Sequence, residues 1–427
     1  MPRGIGRTAF WIVLVVGAMT LSLAVGFAIK DRCTAHVWDG YQYRTSCYND
    51  IYALYSFRGL AEGRFPYVDG DGNDDPPPGE QFDLDGDLEY PVGTGVFIGA
   101  MSRLVDGGQA FFRANVVGLA IAGLLSAGML ALLAKDKPRA LLFAFGTPVA
   151  LYAFHNWDLL AVAFMVAGLL AFRARRDAAT GLLLGAGAAT KLFPGAILPG
   201  LALVRWRERG RAPVGMIAAA IAAFALFNVP ILAINPPGWL FPWRFQSTRF
   251  PNFETSWYMI FRHGSGGGAT AESFWFATYP ELTGFLSSVL FLIGLAVLLR
   301  AEWKRPFMRP YAVSFGAMLI FLLTAKVYSP QFALWLLPFF VLVRIPWYAF
   351  VAFLVTDGAV WTAISAFFLA AGTEAESSRM LLVEIAVWAR YGVLLWLLWL
   401  SRRAPENVED HPSVPSARAA APLATPR

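Results

Sequence analysis

The chain has 427 residues, 57% of them hydrophobic and only 15% charged, with a net charge of +6. Soluble domains carry about 25% charged residues, so a water-soluble globular domain is excluded. Repeated apolar runs of roughly 17–25 residues match helical membrane spans, and the short alternating strands of a barrel are absent. The positive balance fits basic cytoplasmic loops, and no basic-aromatic motif points to nucleic acid.

The first apolar run, residues 9–29, is too long for a signal-peptide core and lacks a clean small-x-small cleavage site before Lys30. It is expected to be a retained span. With Arg3 and Arg7 inside, residues 30–110 form a long first outer loop. Loops of this length are functional or disordered, and the Tyr, Phe and Trp content here argues for order. Cys33 and Cys47 both lie in it and suit either a disulfide of an exported loop or two unpaired thiols. Residues 91–105 read as an interfacial helix within the loop.

Further on, residues 114–134 are a full span, 140–154 a return outward, and 159–172 a return inward. Residues 180–204 have basic clusters on both flanks and contain Lys191, Pro194 and Pro199, so they are expected to fold as a hairpin with Lys191 near its outer tip. Residues 214–234 lead to a second outer loop at 235–281, and five apolar segments, 282–299, 311–324, 332–343, 347–371 and 380–400, follow before Arg402 and Arg403. The expectation is an all-α integral membrane bundle of about twelve membrane helices. It forms one domain over residues 1–403 with both termini cytoplasmic, followed by a disordered Pro/Ala-rich tail at 404–427. Under this topology the unusual polar motifs all surface on the outer side, which suggests an outward-facing site in the plasma membrane.

Those motifs are Asp50, the acidic run, Glu89-Tyr-Pro91, His155-Asn-Trp-Asp158, Lys191, Phe250-Pro-Asn-Phe-Glu254 and Lys326-Val-Tyr328. The chain also carries an ordered series of landmarks: Asp50-x-Tyr52, Gly63-Arg-Phe-Pro-Tyr67, Glu89-Tyr-Pro91, Asn156-Trp-Asp158, Gly185-x-x-x-x-Thr190-Lys191-x-x-Pro194 and Lys326-Val-Tyr-Ser-Pro-Gln331. In this order the chain, from Asp50 to about Pro338, resembles the polyprenyl-phosphate-sugar-dependent glycosyltransferases of the GT-C fold, specifically glycosyltransferase family 87 of actinobacterial type. The resemblance implies a GT-C multispan bundle and inverting transfer of a sugar from a polyprenyl-phosphate donor to a glycan or glycolipid hydroxyl, with the catalytic carboxylate just after the first span. Mannose is the expected sugar and arabinofuranose the alternative. The sequence departs from the family pattern at Val92, where a second proline is usual, and in the longer acidic run from Asp69 to Asp87.

Asp50 is the candidate general base, because an attacking hydroxyl must lose its proton to a group within hydrogen-bond reach. It is expected in the first turn of an amphipathic helix over residues 49–60, where the alternative role is a plain helix cap. Glu89, Tyr90, His155 and Asp158 are candidates for acceptor or sugar binding, with pairing to Lys191 as the alternative role of Asp158. The leaving phosphate requires cations in a water-poor site. Lys191, Lys326, Arg249 and Arg262 are the candidates, with an ion pair or lipid headgroups as the bland alternatives. Arg390 is expected to pair with Glu384 or Asp357, and Trp239, Trp243 and Trp257 suit either an interfacial belt or sugar stacking. No cofactor is required. Asp69, Asp71, Asn73 and Glu80 have the ligand spacing of a calcium loop, but Asp74 stands where glycine is needed, which favours a solvated acidic loop. A lipid-linked sugar transporter or flippase is the rival class. Such transporters usually show matching broken helices in two halves, and the hairpin here has no evident twin.

Overall fold

The computed structural model describes residues 3–70, 87–264 and 280–408, and among these every extended element is helical apart from two isolated bridges. The longer helices are α1 (Arg3–Lys30), α2 (Asp50–Phe57), α3 (Val92–Ser102), α4 (Gly108–Leu133), α5 (Asp158–Arg173), α6 (Asp177–Thr190), α7 (Leu198–Arg209) and α8 (Val214–Ile234). They continue with α9 (Pro236–Thr248), α10 (Ser256–Gly264), α11 (Pro280–Trp303), α12 (Pro310–Thr324), α13 (Ala333–Leu342), α14 (Trp347–Ala370) and α15 (Glu376–Ser401). Six of them, α1, α4, α8, α11, α14 and α15, are long and apolar enough to cross a membrane. At 1.5 Å per residue even the 21-residue α8 reaches about 31 Å, enough for the roughly 30 Å hydrocarbon core of a bilayer. The chain is a helical membrane protein.

The short helices α12 and α13 explain how the long ones pack. Every residue from Tyr311 to Ile320, and all of α13, is buried. A helix apolar all round belongs inside: α13 packs against α4 and α5, and α12 packs against α7, α11 and α15. At the periphery, only 22% of the apolar window of α8 and 17% of that of α11 is buried, leaving Ile221, Leu226, Phe285 and Leu292 exposed to the bilayer.

Helices α6 and α7 form the two-helix hairpin expected over residues 180–204, with α5 beside it, and charge fixes both its ends. At one end Lys191, extended at the break after α6, donates to the Asp158 carboxylate at the start of α5. At the other, Arg205 of α7 pairs with Asp177 at 2.9 Å and donates to the Phe172 carbonyl at 2.7 Å. Gly181 and Gly185 let α6 lie directly on the backbone of α8, since a Cβ at either would collide with the carbonyls of Met216 or Ala220. α3 docks on this hairpin through Thr94, whose hydroxyl donates to the Thr190 carbonyl at 2.6 Å, and its 11 residues are too few to span.

Arginines gather at the Arg205 end of the bundle. Arg207 donates to the carbonyls of Trp303 and Arg305, Arg309 pairs with Glu302, and Arg139 ties the carbonyls of Phe340 and Ile345. Two expectations need correction here. Residues 140–154 do not make a continuous helix; Leu141–Ala144 and Thr147–Tyr152 are separate turns, broken at Gly146 and Pro148. The disorder expected from 404 does not begin there: residues 404–408 are bonded to the bundle, and 409–427 lie outside the described residues. Glu406 accepts from the backbone N–H of Tyr311 and Ala312, capping α12, and Asn407 bonds to Lys135 and Leu342. Proline at the start of α12 removes one of its orphan donors, and the Glu406 carboxylate satisfies two more.

Candidate functional site

The opposite end of the bundle holds the polar motifs. Asn49 is extended and accepts the Tyr52 N–H at 2.8 Å, so it is Asn49 that caps α2. Asp50 is therefore the first helical residue, and its carboxylate is left for other work. The backbone leading to it is held on three sides. A disulfide joins Cys33, just past α1, to Cys47. Lys30, fully buried, donates to the carbonyls of Ser46 at 2.9 Å and Tyr48 at 2.7 Å and lies 3.4 Å from His155 Nδ1. The Asp50 N–H donates to the His155 carbonyl at 2.8 Å.

Three donors converge on the Asp50 carboxylate: the Tyr48 hydroxyl at 3.0 Å, the Tyr90 hydroxyl at 3.1 Å and the Asn156 amide at 2.8 Å, the last also donating to the Tyr90 hydroxyl at 2.7 Å. Burial pushes the Asp50 carboxyl above its usual range and Glu89 adds to the rise, while the Tyr48 and Tyr90 hydroxyls and the Lys191 charge oppose it. An ionisable carboxylate with elevated basicity, held in one orientation, is what proton abstraction requires. His155 is driven well below the ordinary imidazole range, first by burial and then by Lys30 and Lys191, and stays neutral.

Asp50 lies where two cavities meet. The first, of about 1040 Å³, is lined by Asp50, Glu89, Tyr90, Lys191, Arg249 and Lys326, and extends along Phe285, Phe291 and Leu292 of α11. Phe285 and Leu292 are among the exposed apolar residues of that helix, so this cavity reaches the exposed apolar face of α11. The second, of about 750 Å³, is lined by Asp50, His155, Glu254, Trp361 and Ser365. Tyr43, Tyr48, Arg249 and Gln331 border both.

The cations divide. Lys326 donates to the Ser247 carbonyl at 2.8 Å, and burial, reinforced by Arg249, brings its ammonium down to about 8. Arg249 holds Asn252 at 3.1 Å. Lys191 lines the first cavity while paired with Asp158. Arg262 lines neither cavity; it pairs with Glu384 at 3.0 Å, so its assignment to a phosphate is not carried by its position. Asp158 is likewise displaced from a sugar-binding role. It is fully buried and accepts from Lys191 at 2.8 Å and the Trp335 indole at 2.6 Å, which makes it the anchor of Lys191. Glu89 borders the first cavity but is paired with Arg58 at 3.0 Å. Arg390 faces Asp357, not Glu384. Trp239 and Trp257 donate to Asn228 and Thr324, while Trp243 lines the first cavity.

Sequence reasoning gave no role to Lys30, Tyr48 or the Asn156 amide, and it marked Phe250–Glu254 as an outer polar motif without placing it on the wall of a second cavity. Lys30 reads as an ordinary snorkelling end of a span, and only the fold turns it inward. Asp69 accepts the Phe65 N–H, whereas Asp71, Asn73 and Glu80 lie outside the described residues. Among the described residues no group of three or more His, Cys, Asp or Glu is arranged to hold a metal. No protein-family model matches this chain, and no curated protein matches it.

Proposed function

We propose that this chain is a membrane-embedded glycosyltransferase that moves a sugar from a polyprenyl-phosphate donor to a hydroxyl acceptor at the outer surface of the plasma membrane. The observation that carries this reading is the position of Asp50: a fixed carboxylate at the meeting point of two cavities, one of them cationic at its head and apolar where it reaches the exposed face of α11. Such a cavity suits a ligand with an anionic head and a hydrocarbon chain. The other cavity supplies room for the acceptor.

In this mechanism the donor phosphate lies against Lys326 and Arg249, with Lys191 close by. The acceptor O–H gives its proton to Asp50. Its oxygen forms the new bond to the anomeric carbon as the bond from that carbon to the phosphate oxygen breaks. The electron pair leaves on polyprenyl phosphate, whose charge the cations meet. Tyr48, Tyr90 and Asn156 keep the carboxylate aimed and ionised. A single displacement of this kind inverts the anomeric centre. The gathering of arginines at the far end of the bundle supports placing that end in the cytoplasm and Asp50 outside. The resemblance to the GT-C fold and to family 87 supports the same reading, with mannose as the sugar and arabinofuranose as the alternative.

The test is incubation of the purified protein in lipid nanodiscs with labelled polyprenyl-phosphate mannose and polyprenyl-phosphate arabinofuranose. The expected result is donor consumption with release of polyprenyl phosphate. Movement of the intact donor across a vesicle membrane without cleavage is the outcome a transporter gives.

A further inference from the structure

Behind Asp50 lies a buried charge that the transfer step does not use. Lys30, the last residue of α1, is 0% exposed. An ammonium taken out of water is costly unless a counter-charge compensates it, yet Lys30 forms no ion pair among the described residues. Its three N–H bonds have neutral acceptors: the carbonyls of Ser46 and Tyr48 and, at 3.4 Å, His155 Nδ1. The Trp361 ring of α14 lies 5.1 Å from the ammonium on another side. Asp31, next in the chain, is taken by Arg113 of α4.

The Asp50 carboxylate has the complementary deficit. It forms no ion pair among the described residues, and its donors Tyr48, Tyr90 and Asn156 are all neutral. One residue joins the two charges: Tyr48 accepts from Lys30 through its carbonyl and donates to Asp50 through its hydroxyl. Asp50 is the carboxylate whose charge reaches Lys30 through space. The other ionisable groups near Asp50 are Tyr43 ahead of α2, Glu89 ahead of α3, His155 ahead of α5 and Lys191 after α6. Glu89 is paired with Arg58 and Lys191 with Asp158.

We infer that Lys30 is the counter-charge of the catalytic base, a positioning residue held one residue away from Asp50 so that the carboxylate stays ionised and yet unoccupied. This rests on the reading of Asp50 as the base. An opposite charge in contact depresses a carboxyl by about one to three pH units and leaves a weaker base. With its N–H bonds committed to carbonyls and to His155, the Lys30 ammonium acts on Asp50 without touching it, and the carboxylate oxygens remain available to an acceptor proton.

The experiment follows the Asp50 carboxyl by carbon-13 NMR of the full chain in phosphatidylcholine nanodiscs, labelled at its aspartate side chains, with the signal assigned by its loss in Asp50→Asn. Lys30→Gln keeps two N–H donors for the Ser46 and Tyr48 carbonyls but loses the charge. Lys30→Met keeps the length and loses both, and Lys30→Arg keeps the charge. Losing a nearby positive charge makes a carboxyl easier to protonate, so Asp50 is expected to titrate at least about half a pH unit higher in the two neutral variants. Lys30→Arg leaves the titration in place. The acid limb of the pH–rate profile for sugar transfer moves upward with the titration in the neutral variants, and donor KM stays unchanged. An unmoved Asp50 titration in the neutral variants, or an equal rise in Lys30→Arg, overturns the inference. So does failure of both neutral variants to fold, which makes Lys30 a support of the loop alone. The expected titrations in a chain that transfers no sugar keep the Lys30–Asp50 pairing and remove the transferase reading; transfer with unmoved titrations keeps that reading and removes the pairing.

Discussion

Asn156 and Asp50, 106 residues apart in the chain, meet through an amide-to-carboxylate hydrogen bond of 2.8 Å. The same amide reaches the Tyr90 hydroxyl, so one side chain from the start of α5 orders the carboxylate and one of its two phenol donors together. The predictions begin from this contact.

Tyr90→Phe removes a hydrogen bond to the ionised form of Asp50. A carboxyl that loses such a donor becomes easier to protonate. Because the base acts when deprotonated, the acid limb of the pH–rate profile moves to higher pH, and the rate on the plateau falls as orientation is lost. Asn156→Ala does the same and loosens Tyr90 as well. Profiles with coincident acid limbs in wild type and Tyr90→Phe are the contrary result.

The alkaline side of the profile belongs to Lys326. With its ammonium brought down to about 8, the phosphate-binding charge is present below that value and is lost as pH rises through it. Donor KM therefore climbs above about pH 8. Lys326→Arg keeps its charge at these pH values and is expected to abolish the climb, even if the larger head raises KM throughout. Measuring donor KM against pH in the two proteins decides this.

Asp158 and Lys191 are a buried pair, and removing one partner leaves an uncompensated charge. Asp158→Asn is expected to destabilise by about 3–5 kcal/mol, visible as a lower thermal midpoint in detergent. The double variant Asp158→Leu with Lys191→Met removes both charges and is expected to recover much of that loss while still binding donor poorly. A double variant no more stable than the single one contradicts the pairing.

The Cys33–Cys47 bond closes a short loop, with a sequence separation of 14, just before Asp50. Loops of that size yield about 3 kcal/mol of stabilisation when bridged. Cys47→Ser is expected to lower the thermal midpoint and to reduce turnover more than it raises donor KM, because the bond anchors the base and not the phosphate contacts. Turnover unaffected by the substitution or by reduction argues against that role.

The parts of the fold most legible in the sequence were those governed by hydropathy and charge: the long apolar helices, and the α6–α7 hairpin announced by basic clusters on both flanks of residues 180–204. What sequence left open was set by tertiary contacts. Arg262 and Arg249 look alike on the chain, and only packing against Glu384 separates them. Asp158 and Glu89 carry the same chemistry as Asp50 in sequence, but each is consumed by a cation, Lys191 in one case and Arg58 in the other. Asp50 differs in having neutral donors around it.

The most direct measurement of the central claim is sugar transfer by Asp50→Asn, in nanodiscs, from a labelled polyprenyl-phosphate donor that the unaltered protein consumes. Asparagine preserves the size and much of the hydrogen bonding but cannot accept the acceptor's proton. The account predicts a fall in turnover of at least about 100-fold, with donor affinity and thermal midpoint close to those of the unaltered protein. Turnover within a few-fold of wild type contradicts it.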